Sequence, residues 1–167
     1  MSNFLEDNED LRFYFDKAID WPTLFEEVET NPQDEDAPEN VEEATEFYRE
    51  VLNVIGKFSA REVAPYTKEL DTQHIELIEG EVVFPPRLEG IFKKINKLEL
   101  HGLCIPRELG GLNCPLLVYM MAAELMARGD VSVMTHHGFH GGIAMALMIY
   151  SLEEGTTTFD PETGAIT

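Results

Sequence analysis

Basic side chains are scarce: the 167-residue chain has 12 lysines and arginines against 32 aspartates and glutamates, a formal net charge of −20. Such a balance repels nucleic-acid phosphates and anionic lipid, which argues against DNA, RNA or a membrane surface as partner. Cysteine is nearly missing too. Cys104 and Cys114 stand apart with no C-x-x-C pair, and both read as reduced cytosolic thiols. The start, "MSNFLEDNEDLRF", has Glu6 and Asp7 where an export signal needs bases and an apolar core, so the expected compartment is cytoplasmic. Internal repeats and low-complexity tracts are lacking. What remains is 44% hydrophobic residues, enough for one domain with a real core.

The acidity is uneven. Residues 1–50 hold 17 acids and 3 bases, so most of the net charge sits in the first third. Residues 1–40 form an acidic, aromatic-rich leader, expected as two short amphipathic helices broken at Trp21-Pro22 and then a solvated linker from residue 30. Asn40 followed by Glu43 reads as a capping box. It opens a helix with Val41, Ala44, Tyr48, Val51, Leu52, Ile55 and Phe58 on one stripe, which Pro65 bends or ends.

"HIELIEGEVVFP" reads as a small hairpin turning at Glu79-Gly80. A second amphipathic helix presents Leu88, Ile91, Phe92, Ile95 and Leu98 on one face, with Gly102 as its stop. After a loop, Asn113 is expected to cap a third helix that Gly129 ends, and Asp130 to cap a fourth. The tail, 153–167, is irregular, with a turn near Asp160-Pro161 and Gly164. The expected fold class is all-α, a bundle of about four main helices spanning 41–152.

The fourth helix is the unusual one. Val131 to Tyr150 is twenty residues without a charge, containing His136, His137, His140, Gly138, Gly141 and Gly142. Its length would suit a membrane span, but three histidines and three glycines raise the insertion cost, and basic flanks and an aromatic belt are missing. A metal reading rests on His136 and His140, four apart on one helical face, yet no H-E-x-x-H pattern continues it. Burial accounts for more. Glycine strips a helix down to backbone and admits a close neighbour, either another helix or a flat ligand. From Cys114 to Leu152 the only charges are Glu124, Arg128 and Asp130, so both last helices need partners on more than one face.

The order of these pieces resembles the N-terminal helical domain of the FAD-dependent acyl-CoA dehydrogenases, the larger bacterial type in particular. Gly102-Leu103, Pro106, Glu108 and Gly110-Gly111 match "GL…P-E-x-x-G-G". "AELMARGD" and Asp130-Val131-Ser132 follow in order, and "REVAPYTKELD" upstream is similar to the family's "E-x-A-P" helix end. The resemblance implies α,β-dehydrogenation of an acyl-CoA thioester, with a glutamate base taking the α proton and FAD accepting hydride from the β carbon.

In that family the flavin is held mainly by a middle β-domain and a C-terminal helical domain, and the glutamate also lies beyond the N-terminal domain. By the same resemblance, Met134, Thr135, Gly138 and Gly142 would line the fatty-acyl end of the substrate pocket. No residue here is assigned a catalytic or metal-binding role. The expectation is an N-terminal portion, inactive alone and colourless without the flavin domain. Its expected partners are acyl-CoA, the remaining dehydrogenase domains or subunits, and copies of itself in the complete enzyme. The alternative is a non-enzymatic truncated relative that binds full-length subunits.

Overall fold

The computed structural model describes residues 3–30, 36–160, 163 and 166–167. The leader begins with α1 (Glu9–Phe13), capped by the Asn8 side chain, which accepts a hydrogen bond from the Leu11 amide at 3.0 Å. The coil widens into a π-turn (Tyr14–Ala18), breaks at Ile19 and Asp20, and resumes as α2 (Trp21–Val28). The break therefore falls before Trp21-Pro22 and not at it. Proline in a first turn lacks only an N–H that would have no helical partner, so it starts this helix.

In α3 (Val41–Phe58) Asn40 accepts from the Glu43 amide at 2.9 Å, while the Glu43 carboxylate accepts from the Glu39 amide, one residue before the position of a standard capping box. Ala44, Tyr48, Val51, Leu52, Ile55 and Phe58 are buried along it, as the three-and-four spacing predicts. Pro65 does not end the coil. The chain passes through a π-turn (Ser59–Val63) and a 3-10 turn (Ala64–Tyr66) into α4 (Thr67–Thr72), loosening just ahead of the residue that cannot donate.

Strands β1 (Glu76–Ile78) and β2 (Glu81–Val83) form the expected hairpin, with Glu79 and Gly80 both at positive φ as its two-residue turn requires. Next comes α5 (Pro86–Lys97), which stops at Leu98 and a left-handed Glu99, four residues earlier than expected. Gly102 lies instead in a 3-10 turn (Leu100–Gly102), and Leu98 is exposed rather than part of the apolar face. Two long helices close the bundle: α6 (Leu116–Gly129) and α7 (Val131–Glu154).

Asn113 does not cap α6. It sits at positive φ, Pro115 occupies the cap position, and its side chain donates to the Val28 carbonyl at 3.1 Å and to Glu29 at 3.3 Å. Asp130 does cap α7, accepting from the Ser132 and Val133 amides at 2.9 and 3.0 Å.

The fold is all-α apart from the hairpin and a bridge near the end. α3 packs on α6, α6 on α7, and α2 on α3. Tyr48, Leu52, Ile55, Ile95, Leu125 and Met126 are among its fully buried side chains, and Leu5, Leu11 and Phe15 of the leader belong to the same core. In the tail Phe159 pairs with Ile166, and Thr158 and Thr167 exchange backbone hydrogen bonds at 2.7 and 2.9 Å. The expected turn residues Pro161 and Gly164 lie outside the described residues.

Candidate functional site

The last helix carries two different faces. Its inner side rests on α6 and on the turn holding His101, with Val133, His137 and Gly141 buried. Here the glycines matter for contact. A methyl group at Gly138 would stand 3.1 Å from the Tyr119 hydroxyl, which donates to the Gly138 carbonyl at 2.9 Å. One at Gly141 would be in ordinary contact with the Tyr119 ring and the His101 carbonyl. So α6 and α7 come together with Tyr119 laid across two glycines.

Its outer side is open. Val131, Phe139, Ile143, Leu147, Ile149 and Tyr150 are all exposed, Phe139 and Leu147 by as much as 66%. Side chains repeating at three and four along a helix form one continuous face. With no charge between Val131 and Leu152, this face is apolar along nearly the whole helix. Surfaces of this kind mark sites of contact with protein, membrane or ligand. Among the described residues no helix is long and apolar enough to cross a membrane.

The four residues expected to line an acyl pocket divide between these faces. Thr135 and Gly142 are exposed, and Gly142 looks onto open space. Gly138 is half-buried beside Tyr119, and the spacing of 135, 138 and 142 brings the three onto one side of α7. Met134, one turn before Gly138, is half-buried and packs against the core.

The histidines form a group that the sequence did not disclose, because one member comes from another element. His101 lies 4.9 Å from His137 and 5.3 Å from His140 between ring centres, and His136 is 4.8 Å from His140. Phe92 and Phe84 pack on His136 at 4.2 and 5.7 Å. Burial, and then repulsion from its imidazole neighbours, lowers the pKa of His137 to about 4, and the same causes lower His101 and His136.

The His137 ring is therefore neutral at pH 7. The His137 Nδ1 is buried with no hydrogen-bond partner, and His140 Nδ1 lies 2.8 Å from the His136 carbonyl. Among the described residues no group of three histidine, cysteine, aspartate or glutamate side chains is arranged to hold a metal ion.

Nor do the thiols offer chemistry. Burial pushes Cys104 up to about 11 and Cys114 to about 12, which keeps both protonated at neutral pH. Beside the second half of α7 lies a cleft of about 580 Å³, bounded by His101, Ile105, Gly110, Gly111, Leu147 and Met148. Gly111 is fixed there: a side chain on it would run into the Ile105 carbonyl oxygen at 2.0 Å.

An uncharged helix face set on a bundle of this order, behind a P-R-E-L-G-G loop, has a counterpart among known proteins. The family model of the acyl-CoA dehydrogenase N-terminal domain matches residues 45–158, which takes in most of α3 and all of α4 through α7. The chain belongs to the acyl-CoA dehydrogenase family.

Two plant relatives agree. The 2-methylacyl-CoA dehydrogenase, mitochondrial, of Solanum tuberosum and the isovaleryl-CoA dehydrogenase, mitochondrial, of Arabidopsis thaliana are each 25% identical over 95 residues, 57% of this chain. That stretch is 21% of either plant protein, so the chain spans about a fifth of the length of the curated relatives it matches. No solved structure matches the chain. The leader, residues 1–40, lies outside the acyl-CoA dehydrogenase match, although its Leu5, Leu11 and Phe15 share the core.

Proposed function

We propose that the chain serves as the N-terminal portion of an FAD-dependent acyl-CoA dehydrogenase, supplying part of the acyl pocket and the surface on which the rest of the enzyme assembles. The observation that carries this reading is the outer face of α7, apolar along its length and exposed. In water such a face is unfavourable by about 25 cal/mol for each Å² left uncovered, so a partner is called for. Thr135, Gly138 and Gly142 are proposed to meet the acyl chain, with Met134 backing them from the core side. A glycine that looks onto open space, like Gly142, leaves room for a straight hydrocarbon chain.

The flavin is proposed to be held by further domains of the enzyme and not by α7. The diphosphate of FAD needs cationic or backbone N–H donors, and α7 offers no base from Val131 to Leu152. No redox step is assigned to the residues of this chain. The same open face supports association with the remaining domains or subunits and, in the complete enzyme, with further copies. The compartment is proposed as cytoplasmic on the two free thiols, although both plant relatives are mitochondrial by name.

The test is complementation. The chain is coexpressed with a polypeptide comprising the flavin and C-terminal helical domains of the family and purified through a tag on the chain. A yellow complex that dehydrogenates an acyl-CoA, from two components that are each inactive, is the expected result. A complex that forms without activity would favour the non-enzymatic alternative. Yellow flavin absorbance in the purified chain alone would overturn the assignment of FAD to the other domains.

A further inference from the structure

A second apolar depression lies away from α7, between the leader and α6. Its volume is about 630 Å³. Leu11 and Met121 form the buried floor, and Tyr14, Leu24, Leu117 and Met120 stand around it. Tyr14 and Met120 are more than half exposed, and Phe13 and Leu116 beside them in sequence are exposed too. One wall of this groove is the leader, which lies outside the family match, so the groove is a feature this chain adds to the domain.

The charge around the groove decides what it can take. Among the described residues, Asp20 and Glu124 are its only charged lining residues and no base lines it. Both are held in place: Asp20 caps α2, and Glu124 accepts a hydrogen bond from the Asn8 side chain at 3.3 Å. Around them residues 1–50 carry 17 acids and 3 bases. An acyl-CoA, with its phosphates, would meet only like charge here, and a second copy of a chain of net charge −20 would as well.

We propose that this groove docks a cationic amphipathic helix of a partner protein. Apolar side chains of the helix at i, i+3 or i+4, and i+7 would fill the depression, while its lysines and arginines face Asp20, Glu124 and the acidic leader. Exposed methionine suits the task, because an unbranched thioether repacks around different apolar shapes. The groove is lined by side chains of helices and of the short break at Ile19 and Asp20, and among the described residues no strand edge borders it to pair an extended peptide.

The experiment uses the full chain and two fluorescein-labelled helical peptides with the same leucine face, one flanked by lysine and one by glutamate, in an anisotropy titration. The lysine peptide is expected to bind and the glutamate peptide not to. Leu117→Lys with Met120→Lys, both exposed and so tolerated by the fold, should weaken binding at least about tenfold. Asp20→Asn with Glu124→Gln keeps one accepting oxygen at each position, enough for the α2 cap and the Asn8 bond, and should weaken binding and flatten its salt dependence.

Removal of two charges elsewhere, Glu76→Gln with Glu81→Gln on the hairpin, should leave binding unchanged. Equal binding of the two peptides would overturn the proposal. So would indifference to the Leu117 and Met120 pair, or an equal loss in the hairpin variant, which would reveal diffuse attraction to an acidic protein. Dimerisation of the chain that Met120→Lys abolishes would also overturn it, by giving the groove to a second copy.

Discussion

Arg107 grips the Glu29 carboxylate with both terminal nitrogens, at 2.6 and 3.0 Å, and so ties the end of the leader to the loop before α6. Tyr48 and Asn113 donate to the same carboxylate, and the Glu29 side chain is only 4% exposed. A buried pair of this kind costs much to desolvate, and removing one member costs more than removing both. Glu29→Ala should destabilise the chain by about 3 kcal/mol, whereas Glu29→Leu with Arg107→Met should recover most of that loss. Urea unfolding of the three proteins checks it.

At the other end of the leader, Gly56 admits the chain start. A methyl group there would lie 2.3 Å from the Asn3 side-chain oxygen and 2.8 Å from the Leu5 amide nitrogen. Gly56→Ala should therefore push the first residues off α3, lower stability by about 2 kcal/mol and open an early site to limited proteolysis. Cleavage no faster than in the parent protein would count against this account.

The histidine group gives the chain a defined response to acid. His137 has its pKa lowered to about 4 in the folded state, from 6.5 when unfolded. Below pH 6.5 the unfolded chain takes up a proton that the folded chain refuses, so stability is full above that pH. It falls as pH drops toward 4, by up to about 3 kcal/mol at the end of the window. His137→Leu should match the parent closely at pH 7.5 and exceed it in stability at pH 5. Thermal unfolding of both proteins across that range measures the difference.

Tyr119 and Gly138 should behave as one unit. Tyr119→Phe removes the hydrogen bond to the Gly138 carbonyl and should cost about 1 kcal/mol. Gly138→Ala brings a methyl group against that same hydroxyl and should cost a similar amount. Since the double variant removes the collision together with the bond, its loss should be smaller than the sum of the two. A double-mutant cycle reads the coupling directly.

What the sequence discloses and what it withholds follow from range. Caps and stripes are local, so Asn40, Asp130 and the buried positions of α3 are legible from neighbours within one or two turns. Asn113 misleads because its partners, Val28 and Glu29, are 85 and 84 residues away, while a local rule sees only a polar residue before a helix. The end of α5 escapes for another reason. A non-glycine residue, Glu99, takes the left-handed turn that glycine usually marks.

The site was legible in part. An uncharged helix announces an apolar face in its composition alone, but which side stays open depends on where Tyr119 and His101 press against it. That is a tertiary fact. His101 joins three histidines from α7 only once the turn after α5 is folded beneath them.

The two silent thiols have a use of their own. Cys114, buried and held protonated, is shielded from an alkylating reagent as long as the domain stays closed, while the half-buried Cys104 is slowed by its raised pKa alone. A covalent tag acquired at Cys114 in dilute iodoacetamide then records an opening of the core, which makes the unmodified protein its own clock for local unfolding.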